Sequence, residues 1–370
     1  MQTIDVQPFT VAVPEAALTD LRRRLAQTRF TDALADAGPD WGIEPAALRA
    51  LVAHWQRFDW RAAEAAINAF PAFRAQIGGT GVHFVHVRGR APRRLPIVLT
   101  NGWPSCFTEL LRLVPLLTEP VDGVAFDVVI PSLPGYGFSD RPSRSGMNIT
   151  RIAALWAELM AGLGYPRFFA HGSDMGAGVV ERLRADHAER VLGIHMVNVF
   201  WGYPRPPAPT PAEAAYLERG PQWQQREGAY AAIHATRPHT ISAGLNDSPA
   251  GLAAWIGEKF AAWSERPPSL DALCTILTIY WVTETIASSQ RLYREAFADA
   301  GAMAPPPRRG PPVAVAIFPG DILPAPRAWG ERWFELARWT EMPRGGHFPG
   351  LEAPDLLAAD IRAFAAGLGA

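Results

Sequence analysis

Three residues widely separated along the chain, Asp174, Asp321 and His347, have the types and flanks that nucleophilic hydrolysis needs. Asp174 stands in Phe168-Phe-Ala-His-Gly172-Ser173-Asp174-Met175-Gly176-Ala177, an apolar run that passes through a small-x-Asp-x-small turn into a helical pattern. A sharp strand-to-helix elbow holds its central residue in a strained conformation with the side chain raised above the sheet, and needs small residues two positions to either side. Gly172 and Gly176 supply them. Ser173 is the weaker candidate, because the residue two before it is His171, too bulky for the tight turn. A carboxylate at the elbow attacks carbon by displacement and leaves an ester on the enzyme, chemistry suited to an epoxide or alkyl halide rather than an amide. The competing reading of Asp174 is a helix N-cap, a role that aspartate fills well.

In Met342-Pro-Arg-Gly-Gly-His347-Phe-Pro-Gly, glycines flank a histidine ahead of an amphipathic helical stretch from Pro354 to Phe364. Such a loop can aim an imidazole at the elbow as a general base. Asp321 follows the apolar run Val313 to Phe318 through Pro319-Gly320, at the C-terminal end of a predicted strand, where open α/β sheets place their sites. Nucleophile, acid, histidine is the chain order of the α/β-hydrolase architecture. Asn101-Gly-Trp-Pro104 ends an earlier apolar run, and its glycine and proline expose backbone amides. Those of Trp103 and Met175 could together face a developing oxyanion. Leu133 to Asp140 is a glycine-rich loop, yet it lacks the Gly-x-Gly-x-x-Gly spacing and the Lys-Ser/Thr ending of a phosphate-binding loop.

The elements that must position these residues alternate. Pro96 to Thr100, Phe126 to Ile130, Phe168 to His171 and Val313 to Phe318 read as strands buried on both faces. Helical stretches lie between them at Phe107 to Leu117, Ile149 to Leu163 and Gly176 to Ala188. Strand then helix, repeated, predicts an α/β fold with a mainly parallel central sheet. Two proline-rich stretches, Pro204 to Pro211 and Pro305 to Pro312, bracket an aromatic, mainly helical segment, including the runs Pro249 to Trp263 and Leu270 to Phe297. The expected organisation is an N-terminal arm over residues 1–75, core over 76–200, helical cap over 201–312 and core again over 313–370. Within the arm, Pro14 to Leu25 and Pro45 to Ala69 form two amphipathic helical stretches after the alternating Phe9-Thr-Val-Ala-Val. The arm has too few strands for a sheet of its own and is expected to pack on the core.

Composition limits the function classes. The 370 residues carry 35 Lys+Arg against 36 Asp+Glu, a net charge of −1, with 48% hydrophobic residues, which argues against disorder and against nucleic-acid binding. Only Lys259 is a lysine; the other basic residues are arginines, and with abundant alanine this reads as the codon bias of a GC-rich bacterial genome rather than a phosphate-binding programme. Two distant cysteines, Cys106 and Cys274, without histidines at ligand spacing predict no metal cage and fit a reducing cytoplasm, a single disulfide being the alternative. Met1 to Asp5 has no basic leader, and no run approaches the roughly 20 apolar residues that span a bilayer. A soluble protein without membrane anchor or organic cofactor is expected, and self-association into a homo-oligomer is left open.

Together these motifs resemble the epoxide hydrolases of the α/β-hydrolase superfamily, in the branch with an N-terminal arm that includes the microsomal and juvenile-hormone enzymes. The resemblance extends through Trp41-Gly-Ile-Glu, His54-Trp55 and Phe58-Asp-Trp60-Arg in the arm to the cap segment Leu245-Asn-Asp-Ser-Pro-Ala-Gly-Leu-Ala-Ala-Trp-Ile-Gly-Glu-Lys259-Phe. It implies that two cap tyrosines hydrogen-bond the epoxide oxygen, and the matching positions are Tyr230 and Tyr293. A phenol donates to the alkoxide formed on ring opening yet stays neutral at pH 7. Without the resemblance Tyr216 or Tyr280 reads equally well, and the cap aromatics Trp201, Trp223, Trp255, Trp263 and Trp281 read mainly as core, with some of them lining an apolar pocket. The implied activity converts an apolar epoxide and water to a vicinal diol, in a detoxification role. Two departures stand out: the turn that usually begins with histidine begins with Asn101, and the tryptophan usual after the nucleophile is Met175. Both retain the backbone amides and alter the pocket beside the nucleophile. A haloalkane dehalogenase is the nearest competitor, but Met175 cannot clamp halide; a catalytically silent binding protein and a serine esterase through Ser173 are the others.

Overall fold

The computed structural model describes residues 4–369 except Ala33, Ala35 and Ala37; Met1 to Thr3, part of the stretch read above for a leader, lie outside the described residues. Nine strands form one sheet: β1 (Val6–Phe9), β2 (Ala72–Ile77), β3 (Thr80–Val87), β4 (Arg93–Thr100), β5 (Val124–Pro131), β6 (Phe168–Gly172), β7 (Val191–Met196), β8 (Val313–Ile317) and β9 (Leu336–Glu341). Their order across the sheet is β1-β2-β3-β5-β4-β6-β7-β8-β9. The first four pair antiparallel, and from β5 to β9 every pairing is parallel. This is the α/β-hydrolase architecture. Every residue of β6 and β8 is buried, which explains why these strands read as unbroken apolar runs rather than alternating ones.

Several elements differ from the sequence reading. The N-terminal strand is Val6–Phe9, one step before the alternating run, and with β2 it adds to the edge of the main sheet by antiparallel pairing. The expected helix over 45–69 is two, Pro45–Arg57 and Trp60–Asn68, broken where Asp59 turns its side chain back to accept from the Ala62 amide. The stretch 107–117 is a 3₁₀ turn, Phe107–Leu110, followed by a short helix, Leu113–Thr118. The run 270–297 is likewise two helices, Leu270–Thr283 and Ile286–Phe297, meeting at 90° where Glu284 takes a left-handed conformation. Among the described residues no single helix is long and apolar enough to cross a membrane.

The pieces that matter for chemistry converge because parallel strands end on one edge. In register, Thr100 of β4 lies beside Gly172 of β6, and Gly172 beside Met196 of β7. The segments leaving those ends carry Asn101 to Trp103, Asp174 and Asn198. Beyond β8 and β9, the Gly320 amide donates to the Gly345 carbonyl at 2.9 Å and Gly320 bridges Gly346 in parallel, which draws the Asp321 and His347 loops together. Over this edge lie the helices between β7 and β8, from Pro211–Glu227 to Ala300–Met303.

Candidate active site

Asp174 has φ 52° and ψ −124°, a conformation that costs a non-glycine residue about 1–3 kcal/mol and persists only where its surroundings impose it. Here they do. The Ser173 amide donates to the Thr100 carbonyl at 3.1 Å, the Asp174 amide to Asn198 Oδ1 at 3.1 Å, and the Ala177 amide to the Asp174 carbonyl at 3.0 Å. A Cβ on Gly172 would collide with the Gly176 carbonyl, and one on Gly176 with the Thr100 carbonyl. The two glycines are therefore the condition for the helix to start this close to the sheet. Although Asp174 occupies the N-cap position of Met175–Asp186, its side chain makes no capping hydrogen bond. It points away instead, and its Oδ1 accepts the Trp103 amide at 2.9 Å. Gly102 is required for this approach, since a Cβ there would strike the Asp174 carboxylate.

His347 Nε2 lies 3.5 Å from Asp174 Oδ2, and its Nδ1 lies 2.7 Å from Asp321 Oδ1. Asp321 is oriented in turn by the Ile322 amide, which donates to the same oxygen at 2.7 Å. The imidazole is buried. Burial opposes its charge, but the adjoining Asp321 and Asp174 carboxylates outweigh that and lift its pKa from 6.5 to about 10. The loop bearing it is pinned from the helical side: the His347 amide donates to the Trp263 carbonyl at 2.9 Å, and the Gly345 amide to Glu265 at 2.6 Å.

The helical side presents aromatic rings to the elbow. The Trp103 ring stacks on Tyr230 at 5.1 Å and 11°, and meets Tyr293 edge-on at 5.9 Å, while the two tyrosines lie 5.7 Å apart. Hydrogen bonding separates these two from the other five of the chain's seven tyrosines. Tyr216 donates to the Val199 carbonyl at 2.9 Å, Tyr280 to Ser105 at 3.2 Å, Tyr136 to Ser289 at 3.2 Å, Tyr165 to Asp127 at 2.8 Å, and Tyr203 to Glu181. The Tyr293 hydroxyl is buried and has no hydrogen-bond partner among the described residues. A buried hydroxyl left without an acceptor costs about 1–3 kcal/mol, and this one stays free to donate to a group that enters the site. Burial holds both phenols well above their ordinary pKa, so they are neutral donors at pH 7. The glycine-rich loop 133–140 positions this side: the Gly135 carbonyl accepts Ser288 Oγ at 2.6 Å, and Tyr136 reaches Ser289, tying the loop to the helix that carries Tyr293.

Two openings adjoin these residues. A cleft of about 910 Å³ reaches Tyr230 between Trp41 of the N-terminal segment, Trp223, Trp255, Ile322 and Leu323. A smaller apolar pocket of about 140 Å³ lies on the other side, where Asp174 and Met175 face Ile149, Phe200, Tyr203 and Phe297. Engineered apolar cavities of about this size hold benzene. Asn101 turns its Nδ2 onto the Gly102 carbonyl at 3.0 Å and so stiffens the turn that presents the Trp103 amide.

Asp174, Asp321, His347, Trp103, Met175, Tyr230 and Tyr293 lie within this one region, whereas Tyr216 and Tyr280, which read equally well without the resemblance, have their hydroxyls committed to Val199 and Ser105. One contributor was not foreseen: Asn198, which holds the strained elbow, follows a strand that the apolar-run pattern did not detect. Trp263, one of the tryptophans read mainly as core with some lining a pocket, is a wall of the site, with its ring 5.3 Å from that of His347.

Comparison with known proteins accounts for nearly the whole chain. Residues 6–110 match the family model described as epoxide hydrolase N terminus, and residues 96–354 match the alpha/beta hydrolase fold. A putative epoxide hydrolase of Stigmatella aurantiaca is 41% identical over 96% of this chain and 84% of its own length. The solved structure of Aspergillus niger epoxide hydrolase is similar with a TM-score of 0.90 at 30% identity, over 99% of this chain and 97% of that one. Juvenile hormone epoxide hydrolase from the silkworm Bombyx mori gives a TM-score of 0.92 at 26% identity, over 100% and 96% of the two chains. With a matching N-terminal segment, a matching hydrolase core and full-length relatives, the chain belongs to the epoxide hydrolase family of the α/β-hydrolase fold.

Proposed function

We propose that the protein hydrolyses an apolar epoxide to a vicinal diol through an ester on Asp174. The observation that carries this reading is a carboxylate, not a hydroxyl, at the elbow, with the His347–Asp321 pair behind it and a buried, unpartnered tyrosine hydroxyl across from it. The Trp103 amide distinguishes the two Asp174 oxygens. Oδ1, already hydrogen-bonded, is the one that remains the ester carbonyl, and Oδ2 attacks the epoxide carbon. As the carbon–oxygen bond breaks, Tyr230 and Tyr293 donate to the leaving ring oxygen, which becomes the first hydroxyl. Esterification removes the Asp174 charge, one of the two that hold the proton on His347; the imidazolium then gives up that proton, which restores the phenol that protonated the ring oxygen, and the neutral imidazole can deprotonate a water. That water adds to the ester carbonyl, Oδ1 carries the oxyanion against the amides of Trp103 and Met175, and collapse expels the diol with Oδ2 as its second oxygen.

Within the same reading, residues 201–312 form a cap that supplies the tyrosines, residues 1–75 an arm packed against the core, and the 140 Å³ pocket beside Met175 receives an apolar substituent. A soluble, cytoplasmic, bacterial enzyme with a detoxifying role belongs to the proposal too, supported by two buried free cysteines and the arginine-for-lysine bias.

A single turnover in ¹⁸O-labelled water with enzyme in excess over styrene oxide tests the mechanism. The expected diol is unlabelled, and the label is found by peptide mass spectrometry in the Asp174 carboxyl. Label in the diol on the first turnover would overturn the ester route in favour of direct attack by water.

A further inference from the structure

Of the 35 lysines and arginines in this chain, all but one are arginines. Lys259 is its only lysine, and it is buried, 7% exposed, in the helix Pro249–Trp263. Its ammonium lies 2.6 Å from Glu258 Oε2 and 3.7 Å from Glu227 Oε2. The same nitrogen is 5.0 Å from the centroid of the Tyr230 ring and 5.4 Å from that of Trp263. It thus stands between two carboxylates and two aromatic faces that belong to the candidate site. A planar guanidinium suits flat, forked partners, whereas a compact ammonium can serve several partners around one point. The exception to the composition bias coincides with a position that asks for a point charge.

What the charge does follows from how Tyr230 changes during ring opening. As the epoxide oxygen takes up the electron pair of the breaking bond, the donating phenol gains phenolate character and its ring becomes more electron-rich. Attraction between that ring and a cation over its face therefore grows on the way to the transition state, and only such growing interactions speed the step. The other charges bearing on Tyr230 are Asp174, Glu227 and Glu258, all negative and all opposing phenolate character. Lys259 is set against the last two.

We infer that Lys259 is a positioning residue for epoxide opening, holding and polarising Tyr230 from behind while neutralising Glu227 and Glu258. The inference rests on the reading of Tyr230 as a donor to the epoxide oxygen. In this reading Lys259 acts only through the phenol, so its effect must disappear when the phenol is removed.

The test is rapid-quench kinetics with enzyme in excess over styrene oxide, following formation and decay of the Asp174 ester by mass spectrometry in the wild type, Lys259→Met, Lys259→Arg, Tyr230→Phe and the Tyr230→Phe/Lys259→Met double variant. Lys259→Met is expected to slow ester formation on the order of tenfold and to leave ester hydrolysis within about twofold. Lys259→Arg, which keeps the charge but not the compact shape that serves four partners around one point, recovers only part of that rate. In the Tyr230→Phe background, Lys259→Met changes ester formation by less than about twofold. Equal slowing of both steps, or an undiminished effect in the Tyr230→Phe background, would overturn the inference and leave Lys259 a packing residue. Thermal melts verify folding, and if Lys259→Met does not fold, Lys259→Gln carries the same comparison. Absence of any Asp174 ester in the wild type would defeat the proposed function itself, whereas an ester whose formation ignores Lys259 defeats only this inference.

Discussion

The two sides of the site are built on opposite principles. On the sheet side, Asp174, Asp321 and His347 stand on loops at strand ends, each fixed by short polar contacts, and the imidazole is held between two carboxylates. On the helical side, Tyr230 and Tyr293 are held by ring packing, with the Lys259 ammonium over the Tyr230 ring, and among the described residues the Tyr293 hydroxyl has no hydrogen-bond partner. The contrast fits a division of labour. A nucleophile and base need a fixed charge arrangement that survives between steps, so their groups are paired in the resting protein. Donors to a leaving oxygen must be free until that oxygen arrives, so their positions are set by shape.

This contrast can be broken experimentally, beginning with its strongest consequence. Asp174→Ala removes the nucleophile and is expected to abolish diol formation, a loss on the order of 10⁴-fold or more in kcat. Retained turnover would remove the sheet side from the mechanism. Next, His347→Gln should allow ester formation but slow its hydrolysis on the order of 10³-fold, so that the Asp174 peptide accumulates the mass of the added epoxide. On the helical side, Tyr293→Phe and Tyr230→Phe should each slow ester formation roughly 10²-fold with little change in ester hydrolysis. Tyr216→Phe and Tyr280→Phe, whose hydroxyls are already committed to Val199 and Ser105, are the controls and should leave that step unchanged. If the controls matched the site tyrosines, hydroxyl availability would not be what distinguishes the pair.

The smallest effect is in stability. The folded pKa of His347 is raised from 6.5 to about 10, so the stabilisation from its carboxylate partners is complete below about pH 6.5 and is lost as pH rises towards 10. Thermal melts from pH 6 to pH 10 should show the wild type losing its advantage over His347→Gln across that window. A constant difference between the two proteins would mean that the imidazole is not charged in the resting state. In kinetics the same coupling has the opposite reach: once Asp174 is esterified, the imidazole titrates at lower pH, and ester hydrolysis should speed up as pH rises through that lower value.

The contrast also explains what could be read in advance. The elbow was legible because its constraints are local: Gly172 and Gly176 are needed by backbone atoms only a few residues away in space and sequence, and a run of ten residues displays them. His347 and Asp321 were legible through strand-end position and chain order. Asn198 was not, because β7, with His195 and Gly193 among its residues, lacks the continuous apolar run that marks its neighbours. The helix breaks at Asp59 and Glu284 were missed because the apolar pattern continues through both, while the caps that end the helices depend on conformation.

The sequence by itself determined the fold class, the identity of the elbow carboxylate and the order of its partners, because each depends on residues close in the chain or on strands that must end at one sheet edge. Proposing Tyr230 and Tyr293 among seven tyrosines was different: it needed a resemblance to a family, and the difference in hydroxyl commitment that supports the proposal appears only in the tertiary structure. Whether a phenol is free or committed depends on acceptors 17 to 175 residues away, such as Val199 for Tyr216 and Ser105 for Tyr280, and no local pattern encodes a contact at that range. For the same reason the single lysine was a curiosity of composition until packing set it against a tyrosine ring.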